Sequence, residues 1–362
     1  MYNLIYLDHA ATTPICEAAK EVIRKHLNDF GNPSSSHELG RQARVLIEDA
    51  RERIAKCVNA EPDEIYFTSG GSEANTWALN QFNAISSNIE HHSINTNCCF
   101  PVKNDGVVNL NECWGIDLWL TDLVSCMYVN NELGTIQPIR EIAQIAHNKY
   151  KWFHTDVVQA MSYLKIDVKD LDCDMLSASG HKFGALKGVG FLYVSKDGPD
   201  FNPLIYGGKQ EQGIRGGTEN VLGIIAMAAA LEDTVEHMEE RNTWIKHLRD
   251  KLLDKLLRIP DSHLNGSLEN RVPGNINIRF DGVSGSRLVT LCSLYGVYIS
   301  SGSACNEGIA EPSHVLKAIG LTDEEALSSV RITIGHENTE EDIDTAADII
   351  IKLVERIRLE NE

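Results

Sequence analysis

The stretch "EIYFTSGGSEANTWALNQF", residues 64–82, joins a short β-rich run to a helical one through two glycines. Its first part contains aromatic and β-branched residues, which favour strands. Gly70 and Gly71 mark a turn, and a helical pattern follows them. A strand that leads at once into a helix is the repeating unit of α/β proteins. This stretch therefore predicts one strand of a sheet that helices cover.

The same alternation continues through the first half of the chain. Two helices are expected between residues 17 and 59, and "DLVSCMYVN" precedes the helical stretch "PIREIAQIAHNKY". The strand-like runs "KWFHTD" and "DMLSASG" follow. This order predicts a largely parallel sheet with helices on both of its faces.

After residue 194 the pattern changes. A long helical region over residues 221–257 is charged on one side and aliphatic on the other, which suits a bridge between two domains. Beyond it, "GNINIRF", "VYIS" and "SVRITIG" predict strands of a smaller α+β unit. A chain of 362 residues also exceeds the usual size of a single core. We expect an α/β protein with a large domain over residues 15–245 and a small domain formed by residues 1–14 and 246–362.

Composition excludes several classes of protein. The net charge of -19 argues against a nucleic-acid or anionic-membrane surface, because both require a basic patch. The N-terminus lacks the pattern of a signal peptide, and the most apolar window, "NVLGIIAMAAALEDTVEHM", is too short to span a bilayer. Nine cysteines without a C-x-x-C pair predict reduced thiols and no metal site. We expect a cytoplasmic protein.

Three motifs at predicted strand ends carry chemistry, because open α/β sheets bind ligands there. The helix that starts at Gly71 and Ser72 offers bare N–H groups to a phosphate, although a plain helix cap explains it equally well. Asp156 of "HTDVVQA" follows a strand, where it either pairs with a buried cationic nitrogen or caps a helix. Lys182 of "SASGHKFGALKGVG" lies among small residues, where it is either a desolvated lysine, which is a nucleophilic amine, or an ordinary surface lysine before a glycine loop. Together, in this order, they match the needs of pyridoxal phosphate.

Two further residues are ambiguous on sequence alone. Cys305 lies in "SSGSACNEG", residues 300–308, a loop of small and polar residues that predicts a mobile thiol. Arg331 lies in the strand-like "SVRITIG", where a guanidinium needs an anion, either a bound carboxylate or a structural ion pair.

The chain resembles the cysteine desulfurases of the NifS/IscS type, a branch of the fold-type I (aminotransferase class V) enzymes that use pyridoxal 5'-phosphate. The resemblance covers nearly the whole sequence. The matching blocks include "YLDHAATTP", "NPSSSHELGRQAR", "TSGGSEAN", "IEHHSI", "VNNELGTIQPI", "SGHKFGALKGVGFLYV", "GGKQEQGIRGGTEN" and "EPSHVLKAIGL".

The resemblance implies a role for each site residue. Lys182 forms the Schiff base with the cofactor, His91 stacks on the cofactor ring, and Asp156 pairs with the pyridine nitrogen. The other implied cofactor contacts are Gln159 at the ring hydroxyl, Gly71, Ser72, Ser179 and His181 at the phosphate, and Thr218 from a second subunit. Asn131 and Arg331 bind the substrate carboxylate, and Cys305 takes the sulfur.

The implied activity is conversion of L-cysteine to L-alanine, with Cys305 becoming a persulfide. The implied partners are a second copy of the chain and a sulfur-acceptor protein, either in iron–sulfur cluster assembly or in tRNA thiolation. Two alternatives keep the cofactor, namely a selenocysteine lyase and an aminotransferase-like relative. A third is a non-catalytic sulfur-relay or scaffold partner with the same fold.

Overall fold

The computed structural model describes residues 4–96, 98–111, 120–301, 305–306 and 309–361, and at residues 305, 306, 309 and 310 it describes the backbone alone. Its strands are β1 (Ile5–Tyr6), β2 (Ile65–Thr68), β3 (Ala84–Ser87), β4 (Cys99–Phe100), β5 (Leu123–Ser125), β6 (Trp152–Asp156), β7 (Met175–Ser179), β8 (Gly190–Val194), β9 (Ser262–Leu264), β10 (Asn275–Phe280), β11 (Val297–Tyr298), β12 (Ser300–Ser301), β13 (Cys305–Asn306), β14 (Ile309–Ala310) and β15 (Ser329–Thr333). Its helices are α1 (Glu17–His26), α2 (Glu38–Val58), α3 (Gly71–Leu79), α4 (Ile139–His147), α5 (Val168–Leu171), α6 (Val221–Glu236), α7 (Met238–Leu256), α8 (Gly285–Leu294), α9 (His314–Ala318), α10 (Asp323–Leu327) and α11 (Glu340–Asn361).

The larger sheet has seven strands in the order β2-β8-β7-β6-β5-β3-β4. Neighbours from β7 to β4 run parallel, and β8 is antiparallel to both β2 and β7. Apolar residues of α2, α4 and α6 form the core on one face, while Ala74 and Trp77 of α3 pack on the other. All five residues of β7 are buried, as burial of both faces requires. The predicted, largely parallel sheet with helices on both faces is confirmed.

The second sheet is antiparallel, in the order β12-β15-β10-β9. Apolar residues of α7, α8 and α11 cover it, and Ile5 and Leu7 of the N-terminus join that core. This arrangement supports the division into residues 15–245 and residues 1–14 with 246–362, which we keep as a proposal. Both α9 and α10 cross the division, because Val315 and Leu316 of α9 and Ala326 of α10 belong to the core of the larger sheet.

The helix predictions hold with one refinement. The two helices expected between residues 17 and 59 are α1 and α2. The helical region expected over 221–257 divides into α6 and α7 at His237, whose backbone leaves the helical range at φ -104 and ψ 9. Among the described residues, no helix has the length and apolar character needed to cross a bilayer.

Candidate active site

A cavity of about 350 Å³ opens where the carboxyl ends of β2, β6 and β7 meet the second sheet. Carboxyl ends of parallel strands are the usual ligand site of such sheets. Ten of the twelve residues singled out from the sequence line this cavity: Gly71, Ser72, His91, Asn131, Asp156, Gln159, Ser179, His181, Lys182 and Arg331.

One end of the cavity is the N-terminus of α3. Gly70, at the N-cap of α3, has φ at +148°, a conformation that favours glycine. Because glycine has no side chain, Gly70 makes no side-chain hydrogen bond to the first N–H groups of the helix. A Cβ atom at residue 71 would lie 2.8 Å from Cγ2 of Val158, so the close approach of α3 to that residue requires glycine. The first N–H groups of α3 are thereby left to an anion in the cavity.

The floor of the cavity holds a buried carboxylate. Asp156, at the end of β6, is 4% exposed and accepts hydrogen bonds from the Asn75 Nδ2 at 2.6 Å and from the Val158 backbone N–H at 2.8 Å. Burial raises the pKa of Asp156, and these two hydrogen bonds oppose that rise. A cationic partner in the cavity would favour the ionised carboxylate further.

The amine of Lys182 lies in the same cavity as the Asp156 carboxylate. A short 3-10 turn, Gly180–Lys182, follows β7 and brings the side chain into the cavity, where Nζ donates to the backbone carbonyls of Ala10 and Ala11. Burial, followed by the positive charge of Arg331, lowers the pKa of Lys182 to about 8. The amine therefore loses its proton far more readily than an exposed lysine does.

Three polar side chains surround this amine. Gln159 Nε2 donates to the Ala10 carbonyl at 2.9 Å, the same carbonyl that accepts from Lys182. His181 Nδ1 lies 3.1 Å from Oγ1 of Thr12, and burial lowers its pKa to about 4, so the ring is neutral at physiological pH. His91 Nδ1 lies 2.7 Å from Oγ of Ser93 at the cavity edge.

The wall opposite Lys182 carries the guanidinium of Arg331. Its Nη2 donates to the Asp8 carboxylate at 2.8 Å, and its Nη1 donates to the Asn131 carbonyl at 3.0 Å. Its Nε is buried and has no hydrogen-bond partner among the residues that the structure describes. Arg331 therefore forms the ion pair with Asp8 and still has its Nε–H group available to a bound carboxylate.

Two predicted residues do not line the cavity. Thr218 is exposed and borders a separate cavity of about 150 Å³ together with Ser69 and Arg215. The backbone of Cys305–Asn306 pairs antiparallel with that of Ile309–Ala310, whereas the side chain of Cys305, and with it the predicted mobile thiol, lies outside the described part of the chain.

Several residues of the site have no motif that singles them out in the sequence. Asn75 orients Asp156 from one helical turn beyond Gly71, a spacing that could have indicated it. Asp8 and Arg331 are 323 residues apart, so nothing local signals their pairing. Glu73 of α3 accepts from Arg215 at 2.9 Å and from the Ser69 N–H at 2.8 Å, and thereby braces the turn before the helix.

Comparisons with known proteins agree with this geometry. The sequence profile described as Aminotransferase class-V matches residues 5–345. A curated protein named cysteine desulfurase IscS from Methanosarcina thermophila is 40% identical over 375 residues, which cover 98% of this chain and 93% of that protein.

Solved structures are similar to the chain as well. One described as a NifS-like protein superposes with a TM-score of 0.90 at 34% identity and covers 98% of this chain and 100% of its own. Another, described as SspA in complex with cysteine, has a TM-score of 0.79 at 34% identity and covers 92% and 99% of the two chains. Enzymes of this class depend on pyridoxal phosphate. The chain therefore belongs to the class V aminotransferase family, in the branch formed by the cysteine desulfurases of the IscS and NifS type.

Proposed function

We propose that this chain binds pyridoxal 5'-phosphate and converts L-cysteine to L-alanine, leaving the sulfur on Cys305 as a persulfide. The observation that carries the proposal is the convergence of four features on one cavity: the uncapped start of α3, the buried carboxylate of Asp156, the amine of Lys182 and the guanidinium of Arg331. A structure similar to this chain is described as a complex with cysteine, which favours that substrate.

The residues present fit the cofactor. Gly71, Ser72, Ser179 and His181 would hold its phosphate, Asp156 its ring nitrogen and Gln159 its ring hydroxyl, with His91 against the ring face. Oδ1 of Asn75 is buried beside Asp156 and has no hydrogen-bond partner in the described part of the chain, as expected of a polar atom next to a ligand site. Bound there, the cofactor supplies an electron sink for the substrate's α-carbon.

Arg331 and Asn131 orient the substrate. The unpartnered Nε of Arg331 donates to the α-carboxylate, while Asp8 and the Asn131 carbonyl hold the other two nitrogens of the guanidinium in place. A substrate fixed by its carboxylate directs its α-hydrogen toward one face of the cavity, and Lys182 lies in that cavity.

Lys182 moves the α-proton. A pKa of about 8 leaves an appreciable neutral fraction near pH 7, which an exposed lysine lacks. The neutral amine accepts the proton from the α-carbon and can return it to the product. The neutral ring of His181 adds no competing positive charge beside this amine.

Cys305 accepts the sulfur. Its thiolate attacks the sulfur of the bound cysteine, so a sulfur–sulfur bond forms and the bond between that sulfur and the β-carbon breaks. The electron pair of the broken bond stays with the β-carbon, which takes up one proton to become the methyl group of alanine. Cys305 is left as a persulfide, so no external oxidant or reductant is consumed in this half of the reaction.

The persulfide then passes to an acceptor protein of iron–sulfur cluster assembly or tRNA thiolation. Exposure of Thr218 favours a homodimer in which this residue contacts the partner's phosphate site. Reduced thiols, predicted from nine cysteines without a C-x-x-C pair, favour a cytoplasmic location.

The test is to incubate the purified protein, loaded with cofactor, with L-cysteine and a reductant and to measure alanine and sulfide. Wild type should form both, Lys182→Ala and Cys305→Ala should form neither, and the exposed thiol variant Cys98→Ala should match wild type. Full alanine formation by Cys305→Ala would contradict the role of that thiol. Turnover of selenocysteine but not cysteine would favour the lyase alternative.

A further inference from the structure

The segment that carries Cys305 connects the two sheets. At its start, Ser300 and Ser301 of β12 pair with Arg331 and Val330 of β15. At its end, α9 buries Val315 and Leu316 in the core of the larger sheet. One end is therefore attached to the smaller sheet and the other to the core of the larger sheet.

The second attachment is made by Ser313, the cap of α9. Its Oγ accepts from the N–H groups of Val315 at 3.1 Å and Leu316 at 3.3 Å, and donates its single proton to Oε2 of Glu132 at 2.6 Å. Ser313 is 5% exposed, so this bond is sheltered from water. Glu132 follows Asn131 directly, which ties the end of the Cys305 segment to a residue of the cavity wall.

Glu132 is itself held firmly. Its backbone N–H donates to Oδ1 of Asn130 at 3.0 Å, and its carbonyl accepts from Asn275 at 3.1 Å and Asn277 at 3.2 Å, both on β10. Four contacts thus converge on one residue that no catalytic step uses. A side chain held by this many contacts fixes the position of the groups bonded to it.

A second contact runs beside the first. Nε2 of His314 lies 2.9 Å from the carbonyl oxygen of Glu90, the residue before His91, and must donate because a carbonyl only accepts. The His314 ring also packs against His92, with ring centroids 4.8 Å apart. The end of the Cys305 segment is thus tied to the neighbours of two cavity residues, Asn131 and His91.

We propose that Glu132 is a positioning residue for sulfur transfer. Through Ser313 it fixes the far end of the Cys305 segment at the cavity edge, which limits the conformations from which the thiol reaches the substrate sulfur. The inference rests on the proposed function, and it adds a residue that neither binds the substrate nor moves a proton. Loosening this attachment lowers the rate of sulfur transfer and leaves the cofactor site intact.

The test compares Glu132→Ala with Glu132→Gln in the cofactor-loaded enzyme. Alanine removes the acceptor and leaves the cap of α9 intact, whereas glutamine keeps a side-chain oxygen for Ser313 while removing the charge. Lys317→Ala is the matched control, because this residue of α9 is exposed and pairs at the surface with Asp323. The readouts are kcat and KM for alanine formation and the visible absorbance of the bound cofactor.

Glu132→Ala should lower kcat about tenfold with KM changed by less than about twofold, a size typical of misplaced reacting groups. Glu132→Gln should retain most of the kcat, and both variants should keep the cofactor absorbance of wild type. Ser313→Ala should lower kcat at least as far as Glu132→Ala, because it removes the hydrogen bond to Glu132 and also the two bonds that cap α9.

Three outcomes would overturn the proposal. The first is a kcat for Glu132→Ala equal to that of wild type, which would show that the Glu132–Ser313 hydrogen bond does not affect sulfur transfer. The second is an equal rise of KM in Glu132→Ala and Glu132→Gln, which would show that Glu132 acts through its charge on Arg331. Loss of cofactor absorbance in Glu132→Ala would assign it a role in the cofactor site. Absence of alanine with the wild-type enzyme would instead contradict the proposed function.

Discussion

The cavity has two contrasting walls. The seven-stranded sheet forms one wall from residues at the ends of adjacent strands, whereas the other wall joins residues from distant parts of the chain. We call the first the sheet wall, formed by Asp156 and Lys182 at the ends of the adjacent strands β6 and β7. We call the second the interdomain wall, formed by Arg331 with Asp8, 323 residues away, and Asn131, 200 residues away.

This difference predicts how mutations in each wall affect activity. On the sheet wall, parallel strands end at the same edge, so backbone hydrogen bonds alone bring the chemical groups together. On the interdomain wall, Asp8 holds Arg331 from the same side of the proposed domain division, while the Asn131 carbonyl holds it from the other side, so its position depends in part on how the two sheets pack. Changes to the sheet wall should therefore abolish the chemistry, and changes to the interdomain wall should weaken substrate binding.

The largest effect is expected for Lys182→Arg on the sheet wall. Arginine can still donate to the Ala10 and Ala11 carbonyls, but it keeps its proton at every physiological pH and cannot act as a base. Alanine formation should fall at least about a thousandfold. Lys187→Arg, an exposed position five residues later, should match wild type in the same alanine assay.

An intermediate effect is expected for Asp156→Asn. The amide keeps the shape of the side chain but loses the charge that stabilises a cationic nitrogen, so kcat should fall about a hundredfold. The absorbance maximum of the bound cofactor should shift as well, because the charge next to its ring has changed. Near-normal turnover with an unshifted spectrum would mean that the carboxylate only supports the floor of the cavity.

The same contrast explains what the sequence could predict. Gly71, Asp156 and Lys182 each follow a strand, and parallel strands end together, so local patterns were enough to place all three in one site. Asn75 was not predicted, because its partner Asp156 is 81 residues away and the only local signal is its spacing of one helical turn from Gly71.

Contacts between residues that are far apart in the chain could not be predicted from local patterns. The sequence left open whether Arg331 makes an ion pair or binds a ligand, and the structure shows the ion pair with Asp8 together with a free Nε. The tie between Ser313 and Glu132 spans 181 residues and depends on the packing of α9 against the larger sheet. Thr218 stays a prediction, because its expected partner belongs to a second subunit.

On the interdomain wall, Arg331→Lys should raise KM more than it lowers kcat. Lysine keeps the charge but lacks the Nε donor and the forked geometry, and loss of one hydrogen bond to a charged group corresponds to about a tenfold weaker kcat/KM. Initial rates over a range of cysteine concentrations separate the two constants. A fall in kcat alone would place Arg331 in the chemical step and remove the contrast between the walls.

The smallest effect on turnover is expected for Glu90→Gln, beneath the sheet wall. Glu90 accepts from the Met127 N–H at 2.9 Å and from the hydroxyl of Ser87, and burial raises its pKa from 4.5 to about 8. Glutamine has the shape of the protonated acid, so kcat at pH 7 should stay close to that of wild type.

The raised pKa of Glu90 should instead affect the stability of the folded protein. Between pH 4.5 and about pH 8 the folded protein keeps a proton on Glu90 that the unfolded chain has lost. The free energy of unfolding therefore falls as pH rises through this window, by at most about 1.4 kcal/mol per pH unit. Glu90→Gln should remove this slope, so melting temperatures of the two proteins should diverge between pH 5 and pH 8 in favour of the variant. Parallel curves would mean that Glu90 is ionised in the fold and that the sheet wall already tolerates two buried charges.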